Sequence, residues 1–215
     1  MSITFLSAKQ THRFFETDPD GFFANLQPID LKARGVRSAA AYKKQSCESV
    51  QDFSDEEIYH LTENAKRADS ILAKWENALP GITKIPWVFA KCGPEYEGGL
   101  PHTRAGIIFT INGEMCVKMW IHEKIHLFQR VRKDIADEYI KARGYIRIYN
   151  GRPRLRRSNP DVDQYTYMRS GQVCDGVYLS EDPPHISFTE DGPLHPLEEM
   201  AYEFTTRIVQ WMSDS

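Results

Sequence analysis

Val117-Lys118-Met119-Trp120-Ile121-His122-Glu123-Lys124-Ile125-His126-Leu127-Phe128 carries Val117, Trp120, Ile121, Ile125 and Phe128 at spacings of three and four. That period predicts one helix, beginning near Gly113-Glu114 and reaching about Arg132. Inside it stands His122-Glu123-Lys124-Ile125-His126, the H-E-x-x-H pattern. Positions i and i+4 share a helical face about 6 Å apart along the axis, so both imidazoles can reach one ion with Zn–N bonds of about 2.0–2.1 Å. Glu123 projects beside that face, where a carboxylate can take a proton from a water whose pKa zinc lowers to about 7. Two surface histidines on an ordinary helix would give the same string. The apolar neighbours argue against that, because they set the motif against the core.

The elements on either side follow from period and punctuation. Trp87-Val88-Phe89-Ala90 and Ala105 to Ile111 read as two strands with a loop between them, marked by Cys92-Gly93-Pro94 and Gly98-Gly99. Ser54-Asp55-Glu56-Glu57 is a capping box that opens a helix over about 54–78, with Ile58, Leu61, Ala65, Ala68, Ile71, Leu72 and Trp75 on one face and Pro80-Gly81 as its stop. Residues 1–50 show turn cues such as Asp18-Pro19-Asp20-Gly21 and little periodicity, so they read as an irregular segment with short helices packed on the rest. After the motif, a short helix over about 134–143 ends at Gly144. A hairpin is expected over 145–156 about Asn150-Gly151, and a second over 164–179 about Ser170-Gly171. The last element is a helix over about 196–212, with Pro196 at its first position. The expected fold is α+β: a single domain over 1–215 with a small β-sheet beside a helical layer.

Composition narrows the function classes. A chain of 215 residues, 41% hydrophobic and 27% charged, can bury one sizeable core without staples. Net charge of −3 gives no general attraction for nucleic acid or an anionic membrane. No apolar run approaches the roughly 20 residues of a membrane-spanning helix, and Met1 to Gln10 lacks the basic and apolar regions of a signal peptide. Cys47, Cys92, Cys116 and Cys174 are widely spaced and read as free thiols. An intracellular, cytoplasmic protein with no membrane partner is expected.

A catalytic zinc wants three protein ligands and one open position. Gln129 and Arg132 stand where the longer pattern H-E-x-x-H-x-x-G-x-x-H needs Gly and His, so a third histidine on the same segment is excluded. His195-Pro196-Leu197-Glu198-Glu199-Met200-Ala201 offers carboxylates at the start of a later helix instead. At this point the chain resembles the gluzincin group of zinc metallopeptidases, in which H-E-x-x-H on one helix is completed by a Glu on another. Glu198-x-x-Ala201-x-x-Phe204 looks like the corresponding segment of small gluzincin-like peptidases. Pro101-His102-Thr103-Arg104 and His122 to Arg130 are also similar to zinc-peptidase-like proteins of phages and large DNA viruses. The resemblance implies a zincin-like fold, His122, His126 and Glu198 as zinc ligands, Glu123 as general base, and a peptide or protein substrate. About 70 residues separate His126 from Glu198, and the thermolysin-type string N-E-x-x-S-D is absent, so Glu199 and His195 stay open as third ligands.

Zinc-assisted peptide hydrolysis also calls for a donor to the oxyanion. His102, Arg104, Tyr165, Tyr167, His185 and His195 are the available types, with His185 and His195 ranked ahead of the rest. Arg143, Arg147, Arg152, Arg154, Arg156 and Arg157 form an acid-free run that could bind phosphate or carboxylate, or pair with Asp161 and Asp163 as a solvated face. Sequence therefore points to a zinc-dependent hydrolase. A zinc-binding protein without turnover and an arginine-dependent nucleic-acid binder are the other readings.

Overall fold

Trp87-Val88-Phe89-Ala90 is the middle of a mixed sheet in the computed structural model, which describes residues 2–112, 116–150, 157–174, 177–181, 184–187 and 194–214; side chains of 149, 150, 177, 179–181 and 184–187 are outside that description. The chain opens with strand β1 (Ile3–Phe5) and helices α1 (Ala8–Thr17), α2 (Pro28–Ala33) and α3 (Ala39–Glu48). Short β2 (Val50–Gln51) leads to α4 (Asp55–Leu72), β3 (Trp87–Cys92), β4 (His102–Arg104) and β5 (Ile107–Thr110). The sheet order is β1-β3-β5-β4, parallel except for β4, which runs antiparallel to β5; β2 pairs with the end of β3. Next come α5 (Val117–Val131) and α6 (Lys133–Ala142). Strands β6 (Ile146–Asn150), β7 (Tyr165–Arg169) and β8 (Gln172–Cys174) make a second, antiparallel sheet, followed by the pair β9 (Val177–Glu181) and β10 (Pro184–Ser187) and by α7 (Pro196–Asp214).

Strand alternation divides the core in two. Trp87, Phe89 and Ile108 face α4, α5 and α7, where Leu61, Ile121, Ile125 and Ile208 are buried and Trp120 meets Phe89 edge-on at 5.4 Å. Ala90, Cys92 and Phe109 face the other way onto Phe15, Phe22, Phe23, Tyr42 and Tyr96. The first fifty residues are therefore more ordered than their sequence suggests. They supply an edge strand and the helical layer over the sheet's second face. Their weak periodicity has a physical cause: α3 buries polar Ser46 beside Tyr42 and Cys47 while Ala40 and Ala41 are exposed, so residue type does not follow its buried face, and α2 is too short to show a period.

The capping box at Ser54 forms as expected, with Ser54 Oγ accepting from Glu57 N and Glu57 Oε2 accepting from Ser54 N. The start of the motif helix at Gly113-Glu114 lies outside the described residues, and α5 runs from Val117. Of the hairpin expected at 145–156, the first strand forms as β6, which pairs with β7; its turn at Gly151 and its return strand, 152–156, lie outside the described residues. The second hairpin, expected over 164–179, forms between β7 and β8 with Ser170 and Gly171 both at positive φ as a two-residue turn demands, but 177–179 belong to β9, which pairs with β10 instead. The stretch expected as a loop after Gly99 contains β4.

Buried ion pairs tie the first layer to the sheet. Arg104, wholly buried, donates to Asp18 and Asp20 and to Tyr96 Oη among the rings of Phe14, Phe22 and Phe23. Arg34 grips Glu97 with two hydrogen bonds of 2.8 and 2.7 Å, and Tyr42 Oη donates to Glu97 Oε1 at 2.7 Å. Glu97 adopts positive φ together with Gly98 and Gly99, which is why two glycines follow it. Burial alone would raise the Glu97 carboxyl, but Arg34, His102 and Tyr42 outweigh it and hold it below the ordinary value. Such a group stabilises the fold above its unfolded pKa of about 4.3 and loses that contribution as pH falls through the lower folded value. Glu97→Gln should cost about 3 kcal/mol at neutral pH by taking from buried Arg34 its two-pronged carboxylate partner and leaving it the more distant Asp30 at 3.6 Å. Denaturant titrations at several pH values check this: the deficit should be full at pH 7 and shrink in acid.

Candidate metal centre

α5 is buried almost all round, from Trp120 to Gln129 apart from half-buried His122. Lys124 pins its far side, donating to Ile85 O at 2.5 Å beneath Asp69 and over the Trp87 ring; burial draws its pKa down to about 8 against the pull of Asp69. With that side fixed, His122 and His126 are turned toward the first turn of α7. His122 Nε2 and His126 Nε2 are 3.1 Å apart, and Glu198 Oε2 lies 3.7 and 3.6 Å from them. Donor atoms around a tetrahedral zinc stand about 3.3–3.4 Å apart, and the centre of this triangle is about 2.0 Å from all three atoms. No other group of three or more His, Cys, Asp or Glu among the described residues converges in this way.

Neighbouring residues aim two of the three donors by hydrogen bonds. His126 Nδ1 faces Gln129 Oε1 at 3.0 Å, and Gln129 Nε2 donates to Leu197 O at 2.7 Å. That second bond fixes the amide's orientation, so Nδ1 carries a proton and Nε2 is the nitrogen turned to the centre, where a metal would displace any proton it holds. Gln129 also joins α5 to the turn that bears Glu198. Asn159 Nδ2 donates to Glu198 Oε1 at 2.7 Å, leaving Oε2 for the histidines, while Asn159 Oδ1 accepts from Asp161 N at 2.9 Å. The preceding residue is clamped in turn: Asp30, fully buried on α2, accepts from Ser158 N and Ser158 Oγ at 2.8 and 2.7 Å. Burial opposes charge on both His126 and Glu198. Their mutual attraction outweighs it, raising His126 to about 9 and, with His122, holding Glu198 well below the carboxylate range.

Glu123 is buried, and its Oε2 has no hydrogen-bond partner among the described residues. Burial, then the charge of Asp161, push its carboxyl well above the ordinary value, while His126 works in the opposite sense. An unpartnered buried oxygen beside an ion site is one that water or substrate is expected to satisfy. A cleft of about 290 Å³ opens over His122, Glu123 and Glu198, walled by Leu100, Met119 and Tyr202. The Tyr202 ring lies 4.7 Å from that of His122.

The remaining candidates are elsewhere. His195 is not brought to the cluster: it is wholly buried just before α7, its Nδ1 accepts from Leu197 N at 3.2 Å, and its Nε2 faces Asp163 at 3.4 Å. Glu199 is excluded as third ligand because Tyr145 Oη and Arg169 Nη1 donate to its two oxygens at 2.6 and 2.8 Å. His185 stands on β10 opposite Ser180, with its side chain outside the described residues. Tyr167 Oη donates to Asp163, and Arg104 belongs to the buried ion pairs already described. Of the arginine run, Arg143 pairs with Glu203, Arg147 stacks on Tyr165 at 3.6 Å and Arg157 lines the cleft, while Arg152, Arg154 and Arg156 lie outside the described residues. Gln129, Asn159 and Asp30 were not legible as site residues. Gln129 alone left a signal, by standing three residues after His126 on its face of the helix.

Comparison with known proteins adds no assignment: no protein-family model, no curated protein and no solved structure matches the chain. Among the described residues, no helix is long and apolar enough to cross a membrane.

His122→Ala should abolish stoichiometric metal uptake. Asn159→Ala should weaken zinc binding about 10- to 100-fold with the fold intact, because Glu198 loses the bond that turns Oε2 inward. Competition against a chelator of known affinity measures both, and parental affinity in Asn159→Ala would remove it from the site.

Proposed function

We propose that this chain is a zinc-dependent hydrolase, and specifically a metallopeptidase of gluzincin-like, zincin-fold type. The observation that carries this reading is the convergence of His122 Nε2, His126 Nε2 and Glu198 Oε2 at 3.1–3.7 Å beside the unpartnered Glu123 Oε2, at the floor of an open cleft. Two imidazoles and one carboxylate suit a borderline ion of tetrahedral preference, and three protein ligands leave a position for chemistry. A zinc ion held there would supply Lewis acidity and a lowered pKa for water.

The chain's own residues account for the rest. Glu123 accepts a proton at Oε2 from the attacking water and hands it to the leaving nitrogen. Gln129 and Asn159 hold the imidazole and carboxylate rotamers, so no reorganisation is needed as charge develops. Leu100, Met119 and Tyr202 limit water around the scissile bond. The free thiols, Cys47, Cys92, Cys116 and Cys174, support an intracellular setting.

Two carboxamide variants separate binding from chemistry. Glu123→Gln should retain zinc and lose roughly 10² to 10⁴ in turnover, since the amide keeps the shape and cannot accept a proton. Glu198→Gln should lose zinc first and activity with it, because an amide oxygen is the weaker ligand. Zinc stoichiometry and peptide turnover in one buffer decide the matter. Zinc bound tightly with no turnover of any peptide by the parent protein would reduce the chain to a zinc-binding protein.

A further inference from the structure

β4 is a terminal strand of the main sheet and borders the cleft at His102, a lining residue together with Glu123. A terminal strand beside a cleft is where an extended peptide ordinarily adds itself as one more strand, through the outward N–H and C=O groups. Here those groups are already engaged. The Thr103 N–H and hydroxyl both donate to Asp161 Oδ1, at 2.5 and 3.2 Å, and Thr103 O accepts from Arg130 Nη2 at 3.1 Å. Arg130 Nη2 also donates to Pro160 O at 2.7 Å, so the segment carrying Asn159 and Asp161 is fastened along the strand. Pro101, two residues before Thr103 on the same edge, has no N–H to offer. The Leu100 carbonyl is taken by His102 Nδ1 at 2.8 Å, and beyond Arg104 the chain turns away through Ala105 and Gly106, both at positive φ.

Opening this edge would release Asp161 and shift Asn159, which orients Glu198, so strand addition would loosen the metal site that the substrate must use. The cleft offers apolar side-chain surface instead. Leu100 is 63% exposed, Tyr202 52% and Met119 37%, and the volume of about 290 Å³ is at the small end for ligand pockets, which run from about 300 to 1,000 Å³.

Building on the hydrolase reading, we propose that the site takes a short peptide segment seated by an apolar side chain against Leu100, Met119 and Tyr202, with no strand added to β4. Recognition then depends on that side chain and is indifferent to the backbone amides further along the substrate. Chain length beyond the few residues that the cleft holds contributes nothing.

The test uses one apolar-centred peptide in increasing lengths, and in versions with single N-methylated amides outside the scissile unit. Binding is measured by calorimetry to zinc-loaded Glu123→Gln, and turnover by the zinc-loaded parent. Length and N-methylation should each change affinity by less than about threefold, whereas Leu100→Asp should weaken binding about tenfold or more without altering zinc content. The inference is overturned if N-methylation costs about tenfold or more, if affinity climbs steadily with length, or if no peptide binds. Turnover that rises with length would keep the hydrolase and discard this mode of binding. The expected binding pattern without turnover would keep the binding mode and discard the hydrolase.

Discussion

Burial of α5 on every side is the constraint from which the rest of the structure follows. Glu123, Lys124, His126 and Gln129 all lie in the interior, and a buried polar group without a partner costs about 1–3 kcal/mol, more when charged. Each therefore recruits a different part of the chain. Lys124 draws in the segment at Ile85 and, through Asp69, helix α4; Gln129 takes the first turn of α7; His126 takes Gln129 and Glu198. Glu123 is the exception, with one oxygen unpartnered, and it is the residue that faces the cleft.

The same logic reaches across the sheet. Asp30, Arg34, Glu97 and Arg104 are charged groups in the interior of the first layer, and each is bound to a residue distant in sequence. Their bonds do more than close a core, because Asp30 fixes Ser158 and thereby Asn159, the residue that orients Glu198. The first layer thus helps to set the position of one metal-ligand candidate. Buried ion pairs of this kind add little net stability over apolar packing, but removing one partner is costly, and they favour a single arrangement of the loops they hold.

Closure of the β4 edge and orientation of Glu198 share one segment, 158–161. Asn159 serves the carboxylate and Asp161 serves the strand, so the loop couples the shape of the cleft to the geometry of the centre. The outward main-chain groups of Thr103 are spent on holding that loop, and the cleft beside it is lined by exposed apolar side chains.

Sequence by itself determined what depends on short-range period and chemistry. The helices at 55–72, 117–131 and 196–214, the strands at 87–92 and 107–110, and the pairing of His122 with His126 follow from residues a few positions apart, where the helical repeat acts directly. It also brought Glu198 forward, through the resemblance of its segment to the gluzincin pattern. Tertiary structure alone placed Glu198 beside the two imidazoles and turned Glu199 and His195 elsewhere, where their oxygens and nitrogens meet Tyr145, Arg169, Leu197 and Asp163. It alone paired β6 with β7 and made residues 1–50 a full layer of the fold. The physical reason is common to these cases: hydrogen bonds such as Asp30 to Ser158 or Gln129 to Leu197 join residues whose separation along the chain carries no periodic trace, and only packing brings them within reach.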